Sequence, residues 1–363
     1  MAVLVFNPGS TTLKASTVYP DGGIKSSQTI ETWDLGTAAR EILADLDPEV
    51  TAIGCRVVHG GREFIEPIRV DSSVIEKIRA LGELAPLHNF GAAAVLEACL
   101  KLAPQLPVIA VFDTSFHATL PEVARTYALP YELAENEDLY RYGFHGISHQ
   151  AAGHALTELL QNEGRPALRL VTCHLGGGAS LCAILDGKSI DTTMGMTPME
   201  GLVMATRSGD LDPGIMLHLL KKGWKTEDLE RTLNQESGLL GVSGISNDPR
   251  PIIQAAQEGN QRAALAIELY TYRIAKGIAA LAVPLGGIDG ISFGGGVGQN
   301  SAFIREKVCQ QLHFLGVSLD QLANNSGEPI SPLRIHATNS NIGIWAIPTH
   351  EEGSIAQAVL SFV

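Results

Sequence analysis

Apolar positions along the chain follow two periods: short strand-like runs that end in glycine or aspartate, and longer stretches with helical spacing. Val3-Leu4-Val5-Phe6 is one such run, and it stops at Asn7-Pro8-Gly9. Three hydroxyls follow (Ser10, Thr11, Thr12), then Lys14, and a β-like alternation resumes through Ala15 to Tyr19. The pattern predicts further strands at 50–58 and 108–112, and helices at 92–102, 148–163, 213–222, 262–283 and 352–360. Asp212-Pro213 and Ser301 have the residue types that open helices. Strands alternating with helices predict an α/β fold.

The opening strand-turn-strand has an echo. "LVTCHLGGGASLCAILDGKSI" (170–190) again runs apolar strand, Gly-rich turn, small hydroxyl, apolar strand. Aligning Thr12-Leu13 with Ser180-Leu181 displaces one copy from the other by close to half the chain, which predicts two similar α/β halves facing a cleft. A third strand and Gly-rich turn, "GISFGGGVGQNS" (290–301), leads into a helical segment. Gly164-Arg165-Pro166 is a plausible joint between the halves.

Composition narrows the function classes. The 363 residues carry a net charge of −13, so no basic stripe exists to follow a nucleic-acid backbone. No apolar run approaches the ~18 residues of a membrane span, and the N-terminus lacks a signal-peptide pattern. Five cysteines without CxxC spacing read as reduced thiols, which predicts a cytoplasmic protein.

The candidate chemistry sits where strands end. Glycine lets a backbone approach phosphate closely and present successive N–H groups to it. Neither GxxxxGK[ST] nor GxGxxG after the first strand is present, so the P-loop and dinucleotide fingerprints do not apply. Arg56 in a strand-like run and Arg207 before an acidic turn are either structural ion pairs, Arg207 with Asp210 or Asp212, or clamps on a carboxylate or phosphoryl group. His145 and His149 have i, i+4 spacing, but no acidic third ligand accompanies them in the manner of a zinc motif. His59, His117 and His149 read as core histidines, whereas His145 and His174 stand in glycine contexts where an imidazolium can face an oxyanion. Asp113 and Glu351 follow strand-like runs and suit Mg²⁺, although a strand-end Asp is also a common N-cap.

Taken in order, "NPGSTTLK", "RVVHGG", "LAPLHN", "VFDTSFHATLP", "YGFHGISH", "HLGGGAS", "DTTMGMTPMEGLVMATRSGDLDP", "GGGVGQNS" and "IPTHEE" closely resemble the acetate kinase (acetokinase) family from end to end. The resemblance implies two duplicated actin-like (ribonuclease H-like) α/β halves around a nucleotide cleft. Residues 1–150 would carry the acyl-substrate and phosphate residues, with helix 352–363 a candidate to pack back on them. Residues 151–363 would carry the nucleotide-binding turns and a homodimer interface, with helix 262–283 a candidate for it. The implied reaction is ATP-dependent phosphorylation of acetate with Mg²⁺, or Mn²⁺ in its place. By motif, Asn7 and Glu351 would hold the metal, Ser10, Thr12 and Lys14 would meet phosphates, and Asp113, His145 and Arg207 would be catalytic. Arg56 would bind the carboxylate, and Val58, Leu87, Phe144 and Pro198 would surround the methyl group. His174, Leu175, Gly176, Gly177, Gly178, Asp248, Arg250, Gly296, Val297, Gly298, Gln299 and Asn300 would contact the nucleotide. Cys55, Gly177 and Gln299 depart from the family's usual His, Asn and Glu, and two features, "NPGST" and "HLGGG", lean toward butyrate kinases. Propionate or butyrate as substrate, an inactive kinase-fold binding protein and a sugar kinase are the competing readings. The implied partners are small molecules and a second copy of the chain, without nucleic acid or membrane.

Overall fold

The structure, a computed structural model, describes residues 2–85 and 88–363. Leu87 therefore lies outside the described residues. The chain divides into two compact units, one made of the stretch ending at Ala118 with Tyr142–Ala151 and His350–Val363, the other of Thr119–Arg141 and Ala152–Thr349. The C-terminal segment thus belongs to the first unit, and residues 119–141 to the second.

Each unit is built on one mixed six-stranded sheet. In the first, β1 (Ala2–Pro8), β2 (Thr12–Val18), β3 (Ile24–Glu31), β4 (Val50–Val57), β5 (Ile68–Arg69) and β6 (Val108–Phe112) take the order β3-β2-β1-β4-β6-β5. In the second, β7 (Arg169–Leu175), β8 (Ala179–Leu185), β9 (Lys188–Thr192), β10 (Gly290–Gly294), β11 (Leu333–Arg334) and β12 (Gly343–Ala346) take the order β9-β8-β7-β10-β12-β11. The two orders are the same permutation. In both, the first three strands form antiparallel hairpins, the next two join in parallel, and a two-residue strand closes the edge antiparallel. The half-length echo in the sequence is this duplication.

The helices used below are α1 (Leu35–Ala44), α2 (Asn89–Leu102), α3 (Gly146–Asn162), α4 (Pro213–Lys221), α5 (Pro249–Gln257), α6 (Gln261–Leu285), α7 (Gly295–Asn300), α8 (Ala302–Gln311) and α9 (Glu351–Leu360). The starts that the residue types imply are present: the Asp212 side chain accepts from Gly214 N at α4, and Ser301 Oγ accepts from Ile304 N at α8. One expectation changes. The Gly-rich stretch at 295–300, read as a turn, forms the short helix α7.

Strand β1 shows why its run is uninterruptedly apolar. Side chains alternate across a strand, so Leu4 and Phe6 join the core under α1 and α2, while Val3 and Val5 join a second core with Ile355 and Val359 of α9. A strand with both faces covered needs apolar residues at every position. Polarity returns only at the strand tip. There the hairpin register puts Asn7 opposite Lys14, and in the second unit His174 opposite Ser180.

Candidate active site

The first unit gathers its charges at the ends of β1, β4 and β6 and the start of α9. Arg56, on β4, donates from Nη2 to Asp113 Oδ2 at 2.5 Å and from Nε to the same oxygen at 3.0 Å. Its Nη1 donates to Asn7 Oδ1 at 3.1 Å. Asn7 Nδ2 in turn donates to Glu351 Oε2 at 3.0 Å and to Glu352 Oε1 at 3.4 Å. Lys14 pairs with Glu352 at 2.7 Å. Six side chains thus share one network, with three carboxylates against two cations.

Burial dominates its electrostatics. Asp113 is 1% exposed, and desolvation pushes its carboxyl up, against the pull of Arg56 and with a further push from Glu351. For Arg56 burial works against the charge, but Asp113 and Glu351 outweigh it and hold the guanidinium firmly protonated. Asp113 Oδ1 is buried with no hydrogen-bond partner among the described residues; the nearby His145 backbone N–H favours the carboxylate without completing a bond to that oxygen. Such an atom is costly unless something else satisfies it.

His145 is held beside this cluster by backbone. Gly146 N donates to the Asp113 carbonyl at 2.9 Å, and a Cβ on Gly146 would stand 2.1 Å from that oxygen, so only glycine fits. His145 itself has φ +56, a left-handed conformation that costs ~1–3 kcal/mol and concentrates at functional sites. Val58 and Phe144, expected around a methyl group, are 5% and 1% exposed and therefore fixed walls. Ser10 is exposed at the hairpin tip and Thr12 half-buried.

Two further histidines of this unit, His59 and His117, are structural. His59 is fully buried, and its Nδ1 accepts from Gly61 N at 3.0 Å, so the ring is the neutral Nε2–H tautomer. His117 Nε2 faces the Phe144 carbonyl at 3.0 Å, and burial pushes its pKa down to about 4.

The second unit carries a cavity of about 500 Å³ lined by Gly176, Gly177, Asn247, Asp248, Arg250, Gly296, Val297, Asn300 and Glu328, among others. Asn247 and Glu328 are lining residues that the motif reading missed. A Cβ at Gly177 or Gly296 would meet nothing within 4 Å, and neither residue has a positive φ. The protein's own packing does not demand glycine there, and a Cβ at either position would face open space. Asp248 caps α5 and receives Arg250 Nε, leaving the Arg250 side chain 86% exposed at the rim. Leu175 and Gly298 are buried, Gln299 Nε2 donates to the Pro329 carbonyl, and Gly178 O accepts from Gly176 N to close the turn. His174, next to the last residue of β7, is half-buried.

Arg207 answers one open question. Asp210 Oδ1 accepts from Gly201 N, and Asp212 caps α4, so neither is its ion-pair partner. Its guanidinium donates from Nη1 to the Pro198 carbonyl at 3.1 Å and touches Met204 Sδ at 3.9 Å, with no carboxylate partner among the described residues. Burial pulls its pKa down. A cation kept half-buried without a counter-ion is poised for an anion that arrives.

Among the described residues no group of three or more His, Cys, Asp or Glu could hold a metal ion alone. None of their helices is long and apolar enough to cross a membrane.

Residues 21–357 match the model of the Acetokinase family. The chain is 44% identical over 352 residues to the acetate kinase of Thermosynechococcus vestitus, covering 95% of this chain and 83% of that one. It is 46% identical to the acetate kinase of Halothermothrix orenii over 85% of this chain and 77% of the relative. Among solved structures it superposes on Porphyromonas gingivalis acetate kinase with a TM-score of 0.90 at 36% identity, covering 99% of both chains. A propionate kinase from Francisella tularensis gives 0.91 at 34% identity, with both chains fully covered. These likenesses place the two similar α/β halves in the actin-like fold class.

Neutral His117 carries a pH prediction. Its folded pKa lies below the ordinary 6.5, so the unfolded chain binds the extra proton between about 6.5 and about 4. Stability is therefore expected to fall as pH drops through that window, by on the order of 3 kcal/mol in total. Urea unfolding across pH 7 to 4 should show this loss in the wild type and a shallower one in His117→Gln. Parallel curves would remove the assignment.

Proposed function

The chain belongs to the acetokinase family, and from that premise we propose that it catalyses reversible transfer of the ATP γ-phosphoryl group to acetate, giving acetyl phosphate and ADP by direct in-line displacement. The observation that carries the reading is the opposite treatment of two arginines. Arg56 is held rigid by Asp113 and Asn7, as a receptor for a carboxylate should be. Arg207 has no carboxylate partner among the described residues, as suits a group whose partner is the phosphoryl in transit.

The chemistry explains why these groups suffice. A carboxylate acceptor is already ionised at pH 7, so transfer to it needs no strong base. What it needs is relief of repulsion between two anions, and alignment. Arg56 would bind the ground-state carboxylate, with Asp113 fixing its guanidinium. Arg207 and His145 would stabilise the charge spread over the transferring group. The open glycines Gly177 and Gly296 suit the approach of the nucleotide, and Asp248 and Arg250 would bound it. Ser10, Thr12 and Lys14 would meet phosphate oxygens.

Mg²⁺ fits the first unit's network. Its donors are oxygens, its carboxylates outnumber its cations, and Asp113 Oδ1 is orphaned. Asn7 and Glu351 would hold the ion, with Glu352 beside them, and water and phosphate oxygens would complete its shell. When bound, the ion supplies shielding of phosphate charge. We place the enzyme in the cytoplasm, a reading supported by five free, buried cysteines. We also propose a homodimer through the second half. Helix α6 buries ten residues and so is largely core, leaving Leu265, Tyr272 and Val283 outside. Helix α4 adds a stronger surface: it buries none of its residues and exposes Ile215, Leu217 and Leu220.

Three measurements test this. With hydroxylamine trapping of acyl phosphate, kcat/KM should fall in the order acetate, propionate, butyrate, with butyrate at least roughly 10-fold down, and Val58→Ala should narrow the gap. A wild type that makes no acyl phosphate from acetate, or that prefers butyrate, overturns the acetate assignment. Arg56→Ala should chiefly raise KM for acetate, and Arg207→Ala should chiefly lower kcat by ~100-fold or more; the same effect on both parameters in both variants would cancel the division of roles. Light scattering should give twice 38.6 kDa, and Leu217→Asp should shift it toward the single mass. A wild type at the single mass across micromolar concentrations contradicts the dimer.

A further inference from the structure

One polar assembly in the second unit is used by none of the steps above. Arg141 donates from Nη1 to the carbonyls of Thr192 at 3.1 Å, Thr193 at 3.2 Å and Met194 at 3.1 Å, and from Nη2 to Glu200 Oε1 at 2.5 Å. The other Glu200 oxygen accepts a short hydrogen bond from the Tyr127 hydroxyl. That hydroxyl also accepts from Met196 N at 2.9 Å, and the Arg141 guanidinium lies 5.6 Å from the Tyr127 ring centroid. One guanidinium, one carboxylate and one phenol therefore grip the segment 192–200 at both ends. A Cβ on Gly195 would stand 1.6 Å from a Glu200 oxygen and 2.1 Å from the Tyr127 hydroxyl, so a larger residue there would displace both groups.

What this segment carries gives the assembly a purpose. Between its two gripped points lies Pro198, whose carbonyl is the only oxygen among the described residues to accept from the Arg207 guanidinium. From this geometry we infer that Arg141, Glu200 and Tyr127 are positioning residues: they hold Pro198, and through its carbonyl they aim Arg207 at the transferring phosphoryl group. The inference rests on the proposed role of Arg207 and adds how that arginine, which has no carboxylate to orient it, keeps one direction. A cation steered by a neutral carbonyl retains its full charge for the substrate, whereas a carboxylate partner would have offset it. Because Pro198 also belongs to the expected acyl wall, the same brace bears on acid size.

The brace is not a major source of stability. Arg141 and Glu200 side chains are 18% and 31% exposed, and a cavity of about 250 Å³ behind them, lined also by Asp191, Arg273 and Lys276, keeps that side polar. Partly solvated pairs contribute little to folding. Glu200→Gln, which keeps shape and one acceptor, should therefore fold.

The test is a double-mutant cycle on the full-length enzyme with two readouts. Glu200→Gln should lower kcat about 10-fold or more with little change in KM for ATP, and should shift the propionate-to-acetate ratio of kcat/KM by roughly 3-fold or more. In an Arg207→Ala background the same change should cost less than about 2-fold, because its effect passes through Arg207. The acid ratio does not depend on how much protein is folded, so Tyr127→Phe read by that ratio serves if Glu200→Gln is poorly soluble. An unchanged ratio in both single variants, or a full multiplicative loss in the Arg207→Ala background, overturns the brace. A wild type that phosphorylates no carboxylic acid overturns the reading beneath it, a different and distinguishable result.

Discussion

Everything in the first unit's polar network is arranged around the bond between Arg56 and buried Asp113. A guanidinium on an apolar strand is unaffordable alone, and a carboxylate at 1% exposure is unaffordable without a cation. Together they can be buried, and the second donor face of Arg56 is then fixed on Asn7. The carboxylates Glu351 and Glu352 follow from that placement, since Asn7 donates to both and Lys14 closes on the second. Beside this pair, the Asp113 main-chain carbonyl leaves room only for glycine at 146, directly after the left-handed His145.

Two copies of one strand arrangement end in different chemistry. In the first unit the hairpin register pairs Asn7 with Lys14, side chains that handle charge directly. In the second it pairs His174 with Ser180, and a glycine turn replaces the hydroxyl row, leaving backbone and open space instead of side chains. Duplication explains why both sites sit at strand tips. The body of β1 is apolar and buried on both faces, so its polar side chains are confined to the tip.

Much of this was legible in the sequence where the signal was local. Strand 108–112 and the helix starts at Asp212 and Ser301 are short-range patterns, and they appear where the residues put them. The duplicated halves were readable because the hairpin and its glycine turn repeat nearly intact. Site pairings across long separations were not. Asn7 and Glu351, 344 residues apart, are brought together only by the family resemblance, and nothing near Glu352 distinguishes it from a solvated helix start, so its pairing with Lys14 has no sequence signal. The turn read at 295–300 became helix α7, because glycine content reports freedom, not the conformation chosen. Tyr127 and Glu200, 73 residues apart, carried no motif of their own. Likewise, an ion pair with Asp210 was a fair reading of Arg207 until Asp210 proved to be bonded to Gly201 N.

In the proposed reaction acetate itself is the nucleophile at phosphorus, held by Arg56 and met by a phosphoryl group that Arg207 would stabilise. Phosphorus-31 NMR of the product formed from ATP and doubly ¹⁸O-labelled acetate tests this most directly. The acyl phosphate resonance should show the isotope shift of one bridging ¹⁸O, with unlabelled ADP as the other product. An acyl phosphate without bridging label, or AMP and pyrophosphate in place of ADP, would contradict it.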